Sequence, residues 1–176
     1  DAKGWDLALR YRLPDTAWGS WVLGMDATYI AQYDNDVNPL DDTDTVVSLA
    51  GTYNKSYGNY SRVRARTFVN WQKGDFGVSW RTRYVSGFEI ASADGGCSAD
   101  SPEYCYSVDF DDYLTHAISA SYNLPWWNSK VEVGLDNVFD KQPQMMYQNN
   151  VLNANTDVNT FDTVGRYLWA RYTMNF

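Results

Sequence analysis

No stretch of this sequence approaches the roughly 18 consecutive apolar residues that a membrane helix needs, so its 176 residues hold no transmembrane helix. Histidine occurs once, at His116, and cysteine twice, at Cys97 and Cys105. That scarcity excludes a zinc centre built from several thiolates and imidazoles. No Ser–His–Asp grouping and no general acid–base pair emerges, so no enzyme, cofactor or metal centre is expected. Basic residues are outnumbered, 14 Lys and Arg against 22 Asp and Glu, and the resulting charge of -8 argues against nucleic acid as a partner. The opening "DAKGWDLALRYRLP" lacks the charged start and apolar core of a signal peptide. The chain is therefore not exported, or is mature, processed or cut from something longer. The two cysteines share one short stretch, "GGCSADSPEYCYS". This spacing predicts a local Cys97–Cys105 disulfide in an oxidising compartment.

Aromatic residues are abundant at 16%, with 8 Trp and 14 Tyr, which excludes a disordered chain. The mean hydropathy of -0.50 resembles that of a soluble protein. It does not exclude a membrane barrel, because barrel strands alternate lipid-facing and lumen-facing residues and average out. Such alternation is widespread. "WDLALRYRL" sets Trp5, Leu7, Leu9, Tyr11 and Leu13 against Asp6, Arg10 and Arg12. "SWVLGMDATYIAQY" sets Trp21, Leu23, Met25, Ala27 and Tyr29 against Ser20, Asp26, Thr28 and Gln32. "SRVRARTFVNW" sets Val63, Ala65, Val69 and Trp71 against Arg62, Arg64 and Arg66, and "FGVSWRTRY" sets Phe76, Val78, Trp80 and Tyr84 against Ser79, Arg81 and Arg83. "YLTHAISASY", "KVEVGLDNVF" and the final "VGRYLWARYTMNF" follow the same period of two. Seven strands are predicted, at about 5–13, 20–33, 61–72, 76–86, 113–123, 130–139 and 164–176.

The connections alternate as well. Short turns ("PDTAWG", "QKGD", "LPWWNS") fall on one side, and long loops at about 34–59, 87–112 and 140–163 fall on the other. The apolar "TVVSLAGTY" (45–53) breaks this parity as a spanning strand, so it belongs inside the first long loop. Aromatics such as Trp5, Trp21, Tyr29, Tyr33, Trp71, Phe76, Tyr84 and Phe139 gather toward strand ends, as interfacial girdles do. Short turns opposite long loops describe an outer-membrane barrel. A soluble barrel or sandwich would use the apolar faces as its core, but it leaves the loop asymmetry unexplained.

"VEVGLDNVFDKQPQ", a polar loop, and then "FDTVGRYLWARYTMNF" resemble the C-terminal end of TonB-dependent outer-membrane transporters. Asn137, Val138, Phe139 and Asp140 match that family's motif closing the penultimate strand. Gly165, Arg166 and Tyr167 match the opening of its last strand, and Phe176 matches its terminal aromatic. The resemblance extends to "YRLPDTAWGSWVLGMDATYIAQYD" and "FVNWQKGDFGVSWRTRYVSGF". It implies an all-β transmembrane antiparallel barrel of about 22 strands, of which this chain supplies about seven C-terminal ones, with the plug domain absent. It further implies a Gram-negative outer-membrane location and import of a scarce nutrient powered through the TonB complex. The barrel assembly machinery would read Phe176, Met174 and Tyr172, and lipid and lipopolysaccharide would surround the wall. A passive porin-like or adhesive barrel remains the alternative within the same membrane, and a soluble ligand-binding barrel the alternative outside it.

Eight of the nine arginines (Arg10, Arg12, Arg62, Arg64, Arg66, Arg81, Arg83 and Arg171) fall on the polar strand faces. They are expected to line the lumen and meet carboxylates of the plug. Of the 22 acids, 15 lie in the long loops, which reads as a solvated acidic surface because "DNDVNPLDDTD" lacks EF-hand spacing. Loop tyrosines and Met145 and Met146 suit stacking on a sugar or peptide cargo as well as loop packing. His116 shares the apolar face with Leu114 and Ile118, where an interfacial role is expected.

Overall fold

The computed structural model describes residues 1–36, 46–54, 57–90, 109–126, 128–146 and 155–175. Every regular element in it is a strand. In chain order these are β1 (Ala2–Arg12), β2 (Ser20–Asp36), β3 (Val46–Ser48), β4 (Thr52–Asn54), β5 (Gly58–Asn59), β6 (Val63–Lys73), β7 (Phe76–Val85), β8 (Phe88–Ile90), β9 (Asp109–Phe110), β10 (Tyr113–Leu124), β11 (Ser129–Asp136) and β12 (Tyr167–Met174). Seven long strands form one antiparallel sheet in the order β1-β2-β6-β7-β10-β11-β12. β1 and β12 lie at its two edges.

Each consecutive long strand pairs with the next, joined alternately by a tight turn and a long loop. The turn between β6 and β7 is the shortest: Lys73 opposes Phe76, and Gly74 takes a φ of 56°, a region few side chains tolerate. The first long loop, between β2 and β6, begins by extending the sheet. β3 pairs with the last residues of β2, so part of 45–53 is a strand extension, as its parity requires.

Register divides the residues into two faces without exception across the sheet's centre. Leu9, Met25, Thr67, Thr82 and His116 form one cross-strand row, and Arg10, Gly24, Phe68, Arg81 and Ala117 form the next, on the opposite face. A slip of one residue in any strand would exchange its two sets. The apolar face carries Trp5, Leu7, Leu9, Leu23, Val78, Leu114, Val133 and Leu168, all exposed, with Leu168 at 75%. A sandwich would bury such a face under a second layer; among the described residues nothing covers it. One bulge disturbs the pattern. Between Lys3 and Gly4 the register shifts, so Gln32 stands opposite Lys3 and accepts its Nζ hydrogen bond at 2.9 Å. Simple alternation puts Gln32 with Asp26 and Thr28; the extra residue moves it to the side of Trp5.

The packed core lies at the loop end. Tyr53, Val85, Phe88, Ile90, Phe110, Tyr113, Met146 and Phe161 form one buried cluster. Phe88 stacks on Phe110 at 4.7 Å with the rings 4° apart, and Phe161 meets Tyr113 at 4.7 Å. A small sheet, β5-β4-β8-β9, ties this cluster together by pairing β4 of the first long loop in parallel with β8 of the second. Val85 and Tyr113 stand in one row with Arg64, which fixes this core above the polar face.

Candidate functional site

The polar face of the sheet collects most of the chain's arginines. Arg10 and Arg12 of β1, Arg64 and Arg66 of β6, Arg81 and Arg83 of β7 and Arg171 of β12 all belong to it by register. Arg62, just before β6, donates from Nη1 to the Ala31 carbonyl at 3.1 Å. Three of these guanidiniums meet carboxylates: Arg12 with Asp15 at 3.6 Å, Arg81 with Asp136 at 3.7 Å, and Arg171 with Glu132 at 3.9 Å. Glu132 also accepts from Lys130 at 2.9 Å. These are exposed pairs, and each contributes little on its own.

Two aromatic residues on this face were not legible as functional from alternation alone. Phe68 lies over Gly24, where a Cβ would come within 2.2 Å of the ring, and Trp169 lies over Gly134 in the same way at 2.3 Å. Each ring carries a guanidinium: Arg10 stands 5.5 Å from the Phe68 centroid and Arg171 5.6 Å from that of Trp169. The signal was present in the sequence as a glycine at matching parity on the neighbouring strand. Only the register makes it readable.

Arg64 and Arg83 reach toward the loops. Arg64 donates from Nη2 to the Asn59 carbonyl at 2.6 Å and to Asn59 Oδ1 at 3.2 Å. Arg83 donates from Nη2 to the Thr160 carbonyl at 2.5 Å. Below them lies an open cleft of about 410 Å³ whose polar lining is Asp6, Asp26, Thr28, Arg64, Arg66 and Arg83. Asp6 accepts from the Thr28 hydroxyl at 2.6 Å. Asp157, in the loop after β11, is 3% exposed, which departs from the solvated acidic surface expected of the loops. Its Oδ1 accepts from Asn159 N at 3.2 Å, and its Oδ2 has no hydrogen-bond partner among the described residues.

The residues matching the terminal motif form a buckle. β11 stops at Asp136, short of the expected 139, because Asn137 turns the chain with a φ of 48°. Its side chain then bonds Lys141 twice, Nδ2 donating to the carbonyl at 2.9 Å and Oδ1 accepting from the amide at 2.8 Å. Asp140 Oδ1 accepts from Arg166 N at 2.9 Å, fastening the end of β11 to the start of β12 across the loop. Gly165 sits between them with a φ of 77°, where a Cβ would come 2.9 Å from that same carboxylate oxygen. Asp140→Ala is therefore expected to lower barrel stability by about 1–2 kcal/mol, whereas Asp140→Asn, which keeps an acceptor Oδ1, retains most of it. The shift of a urea-unfolding midpoint in detergent micelles checks both.

His116 is half-buried on the apolar face. Its Nδ1 lies 2.9 Å from the Thr82 hydroxyl, with Trp80 at 5.3 Å and Phe139 edge-on at 5.3 Å, so the imidazole is shielded and paired where it stands. Tyr172 is exposed at the far end of β12, and its hydroxyl approaches Met174 Sδ at 3.7 Å. Cys97, Cys105 and Phe176 lie outside the described residues; the expected disulfide gains no support from the rest.

No family model matches the chain, and no curated protein sequence matches it. Solved structures do. Two mutant forms of the ferric enterobactin receptor from Pseudomonas aeruginosa superpose over 99% of this chain at a TM-score of 0.63, with 18% and 19% identity. The unliganded ferric citrate transporter superposes over 99% of the chain at a TM-score of 0.50 and 15% identity. The chain spans 22% of the two receptors and 31% of the transporter. These neighbours are TonB-dependent receptors of Gram-negative outer membranes. The fold is thus all-β, a seven-stranded antiparallel sheet corresponding to a segment of a TonB-dependent receptor barrel.

Proposed function

We propose that this chain forms part of the barrel wall and extracellular loops of a TonB-dependent active transporter that imports a scarce nutrient across the outer membrane. One observation carries the reading: a seven-stranded sheet with one uncovered apolar face, one arginine-rich face, tight turns at one end and a packed loop cluster at the other. Such a sheet suits lipid and lipopolysaccharide on its apolar side and a wet lumen on its polar side. The lumen side would receive the plug, through which the TonB complex acts. The remaining strands of the receptor would pair with β1 and β12. The barrel assembly machinery would engage β12 through Tyr172, Met174 and Phe176.

The names of the three neighbours all refer to ferric chelates, which puts an iron chelate ahead of an oligosaccharide or a peptide as cargo. The test is uptake by intact cells of a panel of labelled ferric siderophores, oligosaccharides and peptides. For whichever compound the receptor takes up, uptake should stop when an uncoupler collapses the inner-membrane proton gradient. Uptake that continues unchanged means a passive, porin-like barrel.

A further inference from the structure

The arginines of the polar face fall into two groups. Arg12, Arg81 and Arg171 meet carboxylates, Arg10 lies over Phe68, and Arg62 caps the Ala31 carbonyl. Arg64, Arg66 and Arg83 differ: none of them closes to an ion pair with a described residue. The buried Asp157 carboxylate does lie within electrostatic reach of Arg64, and Asp162 lines a second cleft with Arg66 and Arg83. The three arginines are also adjacent. Arg66 and Arg83 stand directly opposite each other on β6 and β7, so their Cβ atoms are about 5 Å apart, a spacing at which like charges repel. Asp26 is the cross-strand neighbour of Arg66 on the other side, yet the two do not close to an ion pair. Asp6 is engaged by Thr28. The cleft is therefore divided, with carboxylates along β1 and β2 and guanidiniums along β6 and β7.

The guanidiniums are also held in place. One Nη of Arg83 is fixed on Thr160 and one of Arg64 on Asn59, so two loops orient the forks while most of their five donors meet no acceptor among the described residues. Two facing guanidiniums lining an open cleft, one of them fixed by a loop, suit a carboxylate received bidentately. We propose that Arg66 and Arg83, with Arg64 beside them, form the point at which an acidic side chain of the plug docks on this wall. The other five expected lumen arginines serve the wall itself. This rests on the transporter reading above and adds to it the position and the chemistry of the contact.

The test uses the full receptor containing this chain, with R66E/R83E compared against R66K/R83K. Heat-dependent migration in electrophoresis first establishes that each barrel has folded. In R66E/R83E the plug should become sensitive to protease, and cells should admit a large antibiotic such as vancomycin at least about tenfold more readily. In R66K/R83K, which keeps the charge but loses the fork, the effect should be smaller. A second-site change of one plug carboxylate to lysine or arginine should restore protection. A folded R66E/R83E barrel whose plug stays as protected as in the parent overturns the proposal. So does loss of cargo binding with the plug still protected, which assigns the trio to an anionic cargo instead. A receptor found to contain no plug refutes the transporter reading itself, a separate outcome.

Discussion

Leu23→Arg is expected to cut the folded yield of the barrel severalfold, whereas Val22→Arg, one residue earlier, should leave it largely intact. Both positions are aliphatic, and hydropathy alone treats them alike. Register separates them. Leu23 opposes Tyr11 and Val69 on the apolar face, while Val22 opposes Arg12 and Asn70 on the polar one. Val22 also lines a polar cleft with Ser20, Asn70, Gln72 and Glu132, where an added guanidinium finds water and acceptors. Leu23 stands one pleat inside Trp21. On the lipid side an arginine costs about 2–4 kcal/mol at the bilayer midplane and less toward the interface. That is a large share of the roughly 5–15 kcal/mol that holds a domain together. Folded yield in outer membranes, read by the migration difference between heated and unheated samples, measures both variants. Equal loss in the two would mean that the sheet does not present its apolar face to lipid.

The fold was legible because its signal is repeated. Period-two alternation in Trp5 to Leu13 or Phe76 to Tyr84 reports the face of every residue, and turn chemistry at "QKGD" fixes where the chain reverses. Places where the sequence misled have local physical causes. The bulge at Ala31, opposite Lys3 and Gly4, inverts the side on which Gln32 lies, and its hint in the sequence is a single glycine, Gly4, within a strand pattern. Asn137 ends β11 three residues early by adopting a left-handed φ, an option open to asparagine but not demanded of it. The candidate site was less legible. Alternation assigns eight arginines to one face, but which of them meet a carboxylate depends on three-dimensional contacts. Some are local, as Arg12 with Asp15, and others join distant segments, as Arg81 with Asp136. Thr160 and Asn59 lie 77 and 5 residues from the arginines they hold. The loop core was hidden for the same reason. Phe88, Phe110 and Phe161 come from two different long loops, and nothing in their local sequence says that they stack.

Produced alone, the 176-residue chain is expected not to form a stable, heat-modifiable barrel in lipid or detergent, and to do so only when the rest of the receptor is supplied. The sheet order leaves β1 and β12 each paired on one side. With seven strands alternating in direction, β1 and β12 run the same way, so joining them would require a parallel seam in an otherwise antiparallel sheet. An eleven-residue edge strand such as β1 presents about ten unpaired N–H and C=O groups along its free side. In hydrocarbon each costs at least about 2 kcal/mol. Five of them at that depth already cost about 10 kcal/mol, as much as the whole stability of a typical domain. Pairing with further strands removes that cost; lipid cannot. Co-expression of this chain with the preceding receptor segment should therefore restore the heat-modifiable species. The opposing result is specific. If the chain alone yields that species, and cysteines introduced by Leu9→Cys and Ala170→Cys cross-link within one molecule, then β1 and β12 seal directly. The protein would then be a small closed barrel with no place for a plug.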